Sequence, residues 1–427
     1  MKVFLDSVGC RLNQSEIEAF AQQFRQAGHT LVAEPSQADL IVVNTCTVTS
    51  EAASDSRQKI RQAARAGGGE VVVTGCWSTL NPQGASSLPG VVRVVPNAEK
   101  DRLVPDLLGL KPEIFDLEPL AREPLPGLRQ RTRAFIKVQD GCDNRCTFCI
   151  TTLARGPARS RPVPAVIEDI RRAVEGGAKE IVLTGVHLGS WGFDLEPAAH
   201  LHVLVRAILA QTGVERLRLS SLEPWDLSED FFSLWQDARV CRHLHLPLQS
   251  GSPLILRRMA RKGTPDSYRR LLHQARAAIP DLAVTTDVIV GFPGEGEEEF
   301  LESLEYIREM AFAGGHVFTY SARQGTAAAA FPGQVPHEER KRRSAILRAE
   351  FAELGRAYRE RFIGQEARVL WESSDALGPD GWRLSGLTDT YIRVQATSPS
   401  LIWNQLSRVR LDAPAEEGLQ GIILLGD

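Results

Sequence analysis

Three cysteines, Cys142, Cys146 and Cys149, fall within eight residues, separated by gaps of three and then two. Thiols this close bind a metal site, form a disulfide or pack as small hydrophobes. Structural zinc normally takes four protein ligands, as does a fully protein-ligated iron–sulfur cluster. A cubane held by three leaves one iron open, and an open iron can chelate a substrate as the open position of catalytic zinc does. A fourth zinc ligand from Cys241 or a histidine is the competing reading. Cys241 lies just before an expected strand, at the wrong end of the unit for that role, and reads as structural.

A second set of cysteines is spread out in sequence but matched in setting. Cys10 follows a first apolar run in Val8-Gly9-Cys10, Cys46 a second in Asn44-Thr45-Cys46, and Cys76 a third in Thr74-Gly75-Cys76-Trp77. One such cysteine would be an ordinary buried residue. Three just past the carboxyl ends of strands occupy the place where open α/β sheets build their sites. Adjacent parallel strands lie about 5 Å apart, so these loops can converge.

The elements that must position these groups read as α/β. Lys2–Leu5, Leu40–Val43, Val71–Thr74 and Val91–Val95 are expected as buried strands, with helices over Gln14–Ala27 and Ser50–Ala66. This Rossmann-like N-terminal domain spans 1–120. Pro112, Pro119, Pro124 and Pro126 precede Arg129-Gln130-Arg131-Thr132-Arg133, and 121–133 is the expected linker. A second series spans 134–363. Strands over Ala134–Gln139, Glu180–Thr184, Leu217–Ser221, His243–Leu248, Val284–Val290 and His316–Tyr320 alternate with helices, Ser228–Asp237 among them. Six βα repeats predict a partial (β/α)6 barrel with its chemistry in the loops after the strands. His337–Ile363, with eight Arg/Lys and five acids, reads as a helix with a solvated face. Residues 364–427 read as a small all-β barrel; its five Arg and six acids from Gly364 to Ala413 do not by themselves argue for nucleic acid.

The post-strand loops carry Gly185-Val186-His187-Leu188-Gly189, Ser221-Leu222-Glu223, Gln249-Ser250-Gly251 and Gly291-Phe292-Pro293-Gly294. Glycines let a ligand approach the backbone; Gly185, Ser221 and Gly291 join Glu223 and Gln249 as candidate contacts to a nucleoside-like cofactor. His187 is a candidate site residue. His243 and His245 share one strand face and either fill the barrel or bind. Tyr320 and Trp191 either stack on a base or pack. Glu295–Glu299 reads as a helix N-terminus.

Composition sets limits. The 427 residues are 43% apolar and 24% charged, with seven cysteines and a net charge of −3. That is too little cysteine for a disulfide scaffold and too little positive charge for a protein that only coats nucleic acid. No apolar run spans a bilayer, and Met1–Asp6 does not read as a signal peptide, so a cytoplasmic protein is expected. Positive charge is local: Arg122–Val163 holds nine Arg/Lys against three acids.

The Cys142–Cys149 spacing after the first strand of a βα series resembles the radical S-adenosylmethionine (radical SAM) signature. With Cys10, Cys46 and Cys76 upstream, and a C-terminal module similar to the TRAM domain, the chain resembles the radical SAM methylthiotransferases along nearly its whole length. Gly9-Cys10-Arg11-Leu12-Asn13-Gln14, Asn44-Thr45-Cys46-Thr47-Val48-Thr49, Gln139-Asp140-Gly141-Cys142-Asp143-Asn144 and Gly185–Gly189 resemble the branch acting on threonylcarbamoyl-adenosine in tRNA, rather than the isopentenyl-adenosine or ribosomal-protein branches. Thr151-Thr152-Leu153 departs from the Ile-Pro-Tyr common in the family.

The resemblance implies two [4Fe–4S] clusters. One, on Cys142, Cys146 and Cys149, would bind S-adenosylmethionine and generate a 5′-deoxyadenosyl radical able to attack C2 of the adenine. The other, on Cys10, Cys46 and Cys76, would present the sulfur. It also implies a tRNA anticodon loop as partner and a reductant such as flavodoxin or ferredoxin; the sulfur source stays open. Arg129, Arg131, Arg133, Arg155, Arg159 and Arg161 are then expected on tRNA phosphates. The alternative from another class is a zinc-stabilised RNA-binding protein.

Overall fold

The computed structural model describes residues 1–111, 132–378 and 381–424. The prolines of the expected linker, with Arg129 and Arg131, lie outside the described residues, as do Pro379, Asp380 and Leu425.

The N-terminal unit is a five-stranded parallel sheet, in spatial order β2 (Thr30–Leu31), β1 (Lys2–Ser7), β3 (Leu40–Thr45), β4 (Glu70–Gly75) and β5 (Val91–Val95). Strand β3 is buried along its whole length, which is why it reads as an unbroken apolar run. The helix Arg11–Gln26 buries Leu12, Ile17, Phe20, Ala21 and Phe24 on one stripe. The helix Ser50–Arg65 is capped by Thr49, whose hydroxyl accepts the Ala52 N–H at 3.0 Å. Two expectations change here. Val91–Val95 forms the edge strand rather than a buried one, with Val92 57% exposed. The short edge strand β2 was too brief to carry a periodic signal.

The central unit holds β6 (Arg133–Lys137), β7 (Gln139–Asp140), β8 (Arg159–Ser160), β9 (Glu180–Thr184), β10 (Arg216–Leu219), β11 (His243–His245), β12 (Ala283–Val290) and β13 (Gly314–Thr319). β7 and β8 pair as a small antiparallel ladder. The parallel sheets β6-β9-β10 and β11-β12-β13 are joined by bridges at Leu217–Val240 and Ser221–His245. Six parallel strands thus run in chain order, an open barrel. Ile136, Ile181, Leu183, Leu217, Leu244 and Val284 point outward into the core under the helices. The alternate residues, among them Glu180, Arg216, Arg218 and His243, are buried and polar.

Some element expectations shift. The stretch Glu229–Gln236 is a 3₁₀ helix, not an α-helix, and β11 stops at His245. The helix His337–Glu360 is not simply solvated. Ser344, Leu347, Phe351, Gly355 and Tyr358 form a buried stripe at helical spacing, and Phe351 packs so closely over Gly315 of β13 that a Cβ there would lie 2.4 Å from its ring.

The C-terminal strands β14 (Glu366–Gly378), β15 (Gly381–Thr388), β16 (Arg393–Ser398), β17 (Leu406–Ala415) and β18 (Gly418–Ile423) close into a barrel of order β14-β15-β16-β18-β17. This barrel is bolted to the amino-terminal ends of the central strands. Arg216 donates to the carbonyls of Leu387 (2.9 Å) and Thr388 (2.7 Å), and Arg218 to that of Asp389 (3.0 Å). Glu180, fully buried, pairs with Arg218 at 2.7 Å and Arg216 at 2.8 Å. Tyr391 stacks on His243, with ring centroids 4.5 Å apart, beneath the Arg218 guanidinium. Among the described residues no helix is long and apolar enough to cross a membrane.

Arg218→Ala would strand the Glu180 carboxylate in the barrel interior. Breaking such a buried pair costs about 3–5 kcal/mol. The thermal unfolding midpoint should fall clearly below wild type, and amide exchange should speed up in β15 and β16 first. An unchanged midpoint would show that this docking contact contributes nothing.

Candidate functional site

The N-terminal cysteines sit where three neighbouring strands release the chain. Cys10 caps the helix Arg11–Gln26, Cys46 follows β3, and Cys76 opens the short helix Cys76–Leu80 after β4. β1 and β4 flank β3 in register, with Ser7 opposite Asn44 and Thr45 opposite Gly75. The approach of the first two loops is close. Gly9 has φ +99°, and a Cβ on it would lie 2.5 Å from the Cys46 sulfur, so only glycine fits. Asn97 donates to the Cys76 sulfur at 3.6 Å, and the Cys10 thiol faces Asn13 at 3.7 Å. Burial pushes the Cys46 thiol up to about 11, and Cys10 and Cys76 add to the rise, so the three sulfurs sense one another.

The second triplet occupies the loop between β7 and the helix Thr151–Arg155. Thr147 anchors it, donating to the carbonyls of Met259 (3.1 Å, backbone) and Arg258 (2.8 Å, hydroxyl). Each ligand candidate is set among donors. The Asn144 N–H points at the Cys142 sulfur at 3.4 Å. The Arg261 guanidinium reaches the Cys146 sulfur at 3.9 Å while gripping Glu223 with both nitrogens, at 2.9 and 2.6 Å, over the face of Trp225. His187 meets Asp226 at 2.6 Å. Burial alone would lower the His187 pKa, but the Asp226 carboxylate and the Cys142 sulfur outweigh it and raise it to about 9. Gly189 makes room for this pair: a Cβ there would lie 2.5 Å from the Asp226 carboxylate. Three thiols ringed by N–H donors and cationic groups suit the anionic thiolates of an iron–sulfur cluster, whose properties depend on hydrogen bonds to sulfur.

Between the two triplets runs a buried network of charges. Glu16, on the helix that starts at Cys10, pairs with Lys100 at 2.8 Å and with Arg155 at 3.0 Å. Arg155, six residues past Cys149, also binds Asp140 at 2.9 Å and donates to the side-chain amide oxygen of Asn13 at 2.9 Å. Asn44 donates to Glu16 at 2.9 Å and accepts from Lys100 at 3.1 Å. Lys137 faces Asp101 at 2.8 Å and Asp140 at 3.6 Å. Asn97, the donor to Cys76, also donates to the Ala154 carbonyl at 2.8 Å. The side chains of Glu16, Lys100 and Arg155 are each at most 3% exposed.

This network corrects the expectation for Arg155, which is buried among carboxylates and not available to a phosphate. Arg133 pairs with Glu372 at 2.5 Å and Arg161 with Asp169 at 2.6 Å. Of the described arginines in the basic segment, Arg145 and Arg159 face solvent. Gly185 lies against Gln139, whose amide oxygen accepts the His187 N–H at 2.8 Å. Ser221 and Gln249 sit on the rim after β10 and β11, Gln249 with φ +69°. Glu223 is held by Arg261. The Gly291 N–H donates at 2.8 Å to Glu295, which pairs with Arg343; the helix Glu297–Met310 starts just beyond, with Glu297, Glu298 and Glu299 in its first turn as expected.

Trp191 is fully buried, its indole donating to the Arg161 carbonyl, and Tyr320 packs on Phe292; both are packing residues. His243 and His245 share Thr285 inside the barrel. Cys241 lies against Glu180 at the opposite end from the triplet. Leu153, where the family pattern has an aromatic, is 55% exposed beside Gly325. Sequence reasoning missed Glu16, Lys100, Asp226 and Arg261, whose partners are distant in the chain.

An open six-stranded parallel barrel with a three-cysteine loop after its first strand defines a radical SAM enzyme, and residues 136–307 match the Radical SAM superfamily. Residues 2–96 match Uncharacterized protein family UPF0004. The threonylcarbamoyladenosine tRNA methylthiotransferase MtaB of Bacillus subtilis is 36% identical, with 92% of this chain and 89% of that protein covered. The protein of the same name from Thermotoga maritima is 35% identical, covering 98% and 96%. The fold resembles that of the radical S-adenosylmethionine methyltransferase TsrM from Kitasatospora setae, with a TM-score of 0.58 at 16% identity over 77% of each chain. The chain belongs to the radical SAM methylthiotransferase family. Its cofactors are S-adenosylmethionine and [4Fe–4S] clusters.

Glu16→Gln tests the network. Burial opposes ionisation of Glu16, but Lys100, Arg155 and Lys137 hold its carboxyl well below the usual range. A carboxyl depressed in the folded state stabilises above its unfolded pKa of about 4.3 and loses that contribution as pH falls through the folded value. At neutral pH the substitution should cost about 3–5 kcal/mol, read as faster hydrogen exchange in the Arg11–Gln26 helix. Below pH about 4 the gap between variant and wild type should narrow. A gap independent of pH would contradict the assignment.

Proposed function

We propose that this enzyme transfers a methylthio group to C2 of N6-threonylcarbamoyladenosine at position 37 of tRNA, giving 2-methylthio-N6-threonylcarbamoyladenosine. The observation that carries this reading is the meeting of two three-cysteine loops across one buried ion-pair network, in a chain that matches the MtaB proteins over nearly its full length. On this reading Cys142, Cys146 and Cys149 hold the cluster that binds S-adenosylmethionine, and Cys10, Cys46 and Cys76 hold the second. Together these groups supply one-electron cleavage of the sulfonium and a sulfur for transfer, chemistry that no side chain offers.

The chain's own residues bind, orient and exclude. Arg261 and the His187–Asp226 pair balance negative charge around Cys146 and Cys142. Gly185, Ser221, Glu223, Gln249 and Gly291 line the rim of the barrel mouth as the contacts to S-adenosylmethionine. Arg145 and Arg159, exposed beside the triplet, offer charge to the phosphates of the anticodon loop, where a loop base can be turned outward. A small reduced electron carrier such as flavodoxin or ferredoxin supplies the electron.

Nucleoside mass spectrometry of tRNA from a strain lacking the gene tests the assignment. The methylthio form of threonylcarbamoyladenosine should vanish, return with the wild-type gene, and fail to return with Cys46→Ala or Cys149→Ala. Its persistence in the deletion strain would refute the substrate; full restoration by Cys46→Ala would refute the second cluster.

A further inference from the structure

The loop of the second triplet is fastened from behind. The Thr147 N–H and hydroxyl donate to the carbonyls of Met259 and Arg258, where the helix Pro253–Arg258 ends. The chain leaving that helix is strongly basic, with six Arg/Lys and one acid from Arg257 to Arg270. Part of this charge is spent. Arg258 donates to the Pro293 carbonyl, Arg261 holds Glu223, and Arg269 holds Asp266 and Glu309. Arg257, Lys262 and Arg270 are exposed, and among the described residues no carboxylate meets them. Lys262 and Arg270 line a groove of ≈ 350 Å³ between the helix Pro265–Ala278 and the turn Pro224–Asp226, and no acid lines it. Arg261 lines it too, and its guanidinium is 3.9 Å from the Cys146 sulfur. One side chain thus separates a cationic, solvent-facing groove from the second triplet.

We propose that this groove is the docking surface for a small acidic one-electron carrier protein. This rests on the reading that Cys142, Cys146 and Cys149 hold the cluster that binds S-adenosylmethionine. One electron leaves the carrier, which is oxidised by one, and enters that cluster, which is reduced by one. Charge complementarity selects the occupant. Cations with no acid among them attract an acidic partner and speed its encounter. A groove of this size suffices, because electron-transfer complexes are among the smallest and most transient of protein contacts. RNA, the other polyanion, is served less well. Single-stranded bases stack on open aromatic faces, and both rings of the groove are already engaged. The Arg261 guanidinium lies over Trp225, 4.4 Å from the ring centroid. Tyr268 is buried, with its hydroxyl on the Leu246 carbonyl.

The test uses the full chain carrying both clusters, as wild type, as Lys262→Gln with Arg270→Gln, and as Lys262→Glu with Arg270→Glu. Flavodoxin and a ferredoxin are the probes. Calorimetry gives the affinity for each oxidised carrier, and anaerobic stopped-flow absorbance gives the rate at which each reduced carrier reduces the enzyme. Wild type should bind at least one carrier saturably. The charge-reversed variant should bind that carrier, and be reduced by it, about tenfold or more less well at low salt. The neutral variant should fall between, and the differences should shrink as salt rises. Cleavage of S-adenosylmethionine driven by dithionite, which needs no docking, should match wild type, as should iron content and tRNA affinity. Wild-type carrier affinity in the charge-reversed variant would overturn the proposal, as would failure of wild type to bind either carrier. An equal loss of dithionite-driven cleavage or of iron would also overturn it, marking a structural role. So would a fall in tRNA affinity with carrier binding unchanged, which marks a phosphate contact. A wild-type protein without iron at Cys142, Cys146 and Cys149 would instead defeat the underlying cluster reading.

Discussion

Glu16 is the group on which the arrangement of this molecule turns. A carboxylate taken out of water is tolerated only where opposite charges meet it with good geometry. Here Lys100 comes from its own domain and Arg155 from the barrel, and Arg155 is in turn fixed by Asp140 and Asn13. None of these partners can shift alone without leaving another charge buried and bare. The network therefore specifies one docking geometry between domains that hydrophobic contact alone would leave free to slide. Its two ends are close in sequence to the two cysteine triplets: Glu16 is on the helix that follows Cys10, and Arg155 ends the helix that follows Cys149.

The same device recurs at the far end of the barrel. Glu180 inside the strands gathers Arg216 and Arg218, whose terminal guanidinium nitrogens also reach the carbonyls of the C-terminal barrel. Arg11, next to Cys10, donates to the Tyr391 hydroxyl at 3.0 Å, so the C-terminal barrel touches the N-terminal unit through the lumen. Polar residues on the inner face of the strands do here what aliphatic layers do in a filled barrel. They cement the three units while leaving the mouth for a ligand.

Much of this was legible in the sequence, and for a physical reason. Buried parallel strands are short apolar runs, and sites in α/β folds lie just past them, so the positions of six cysteines followed from strand ends. The errors share one cause as well. A count of nine basic residues between Arg122 and Val163 cannot tell a solvated arginine from one neutralised by a carboxylate 139 positions away, as Arg155 is by Glu16. Arg261 and Asp226 escaped notice because their meaning lies in contacts across loops, and Lys100 because a buried lysine looks like any other. The stripe Ser344, Leu347, Phe351, Gly355, Tyr358 was present in the sequence of the last long helix and was outweighed by its charges.

The reading proposed above puts one cluster on each three-cysteine loop, on either side of the Glu16–Arg155 network. Pulsed electron paramagnetic resonance on the anaerobically reconstituted, reduced protein measures this directly through the dipolar coupling between the clusters. The account predicts a strongly coupled pair of paramagnets in the wild-type protein, with a simple uncoupled signal once Cys10, Cys46 and Cys76 are replaced together. A wild-type spectrum already showing a single isolated cluster, or two uncoupled ones, would contradict it.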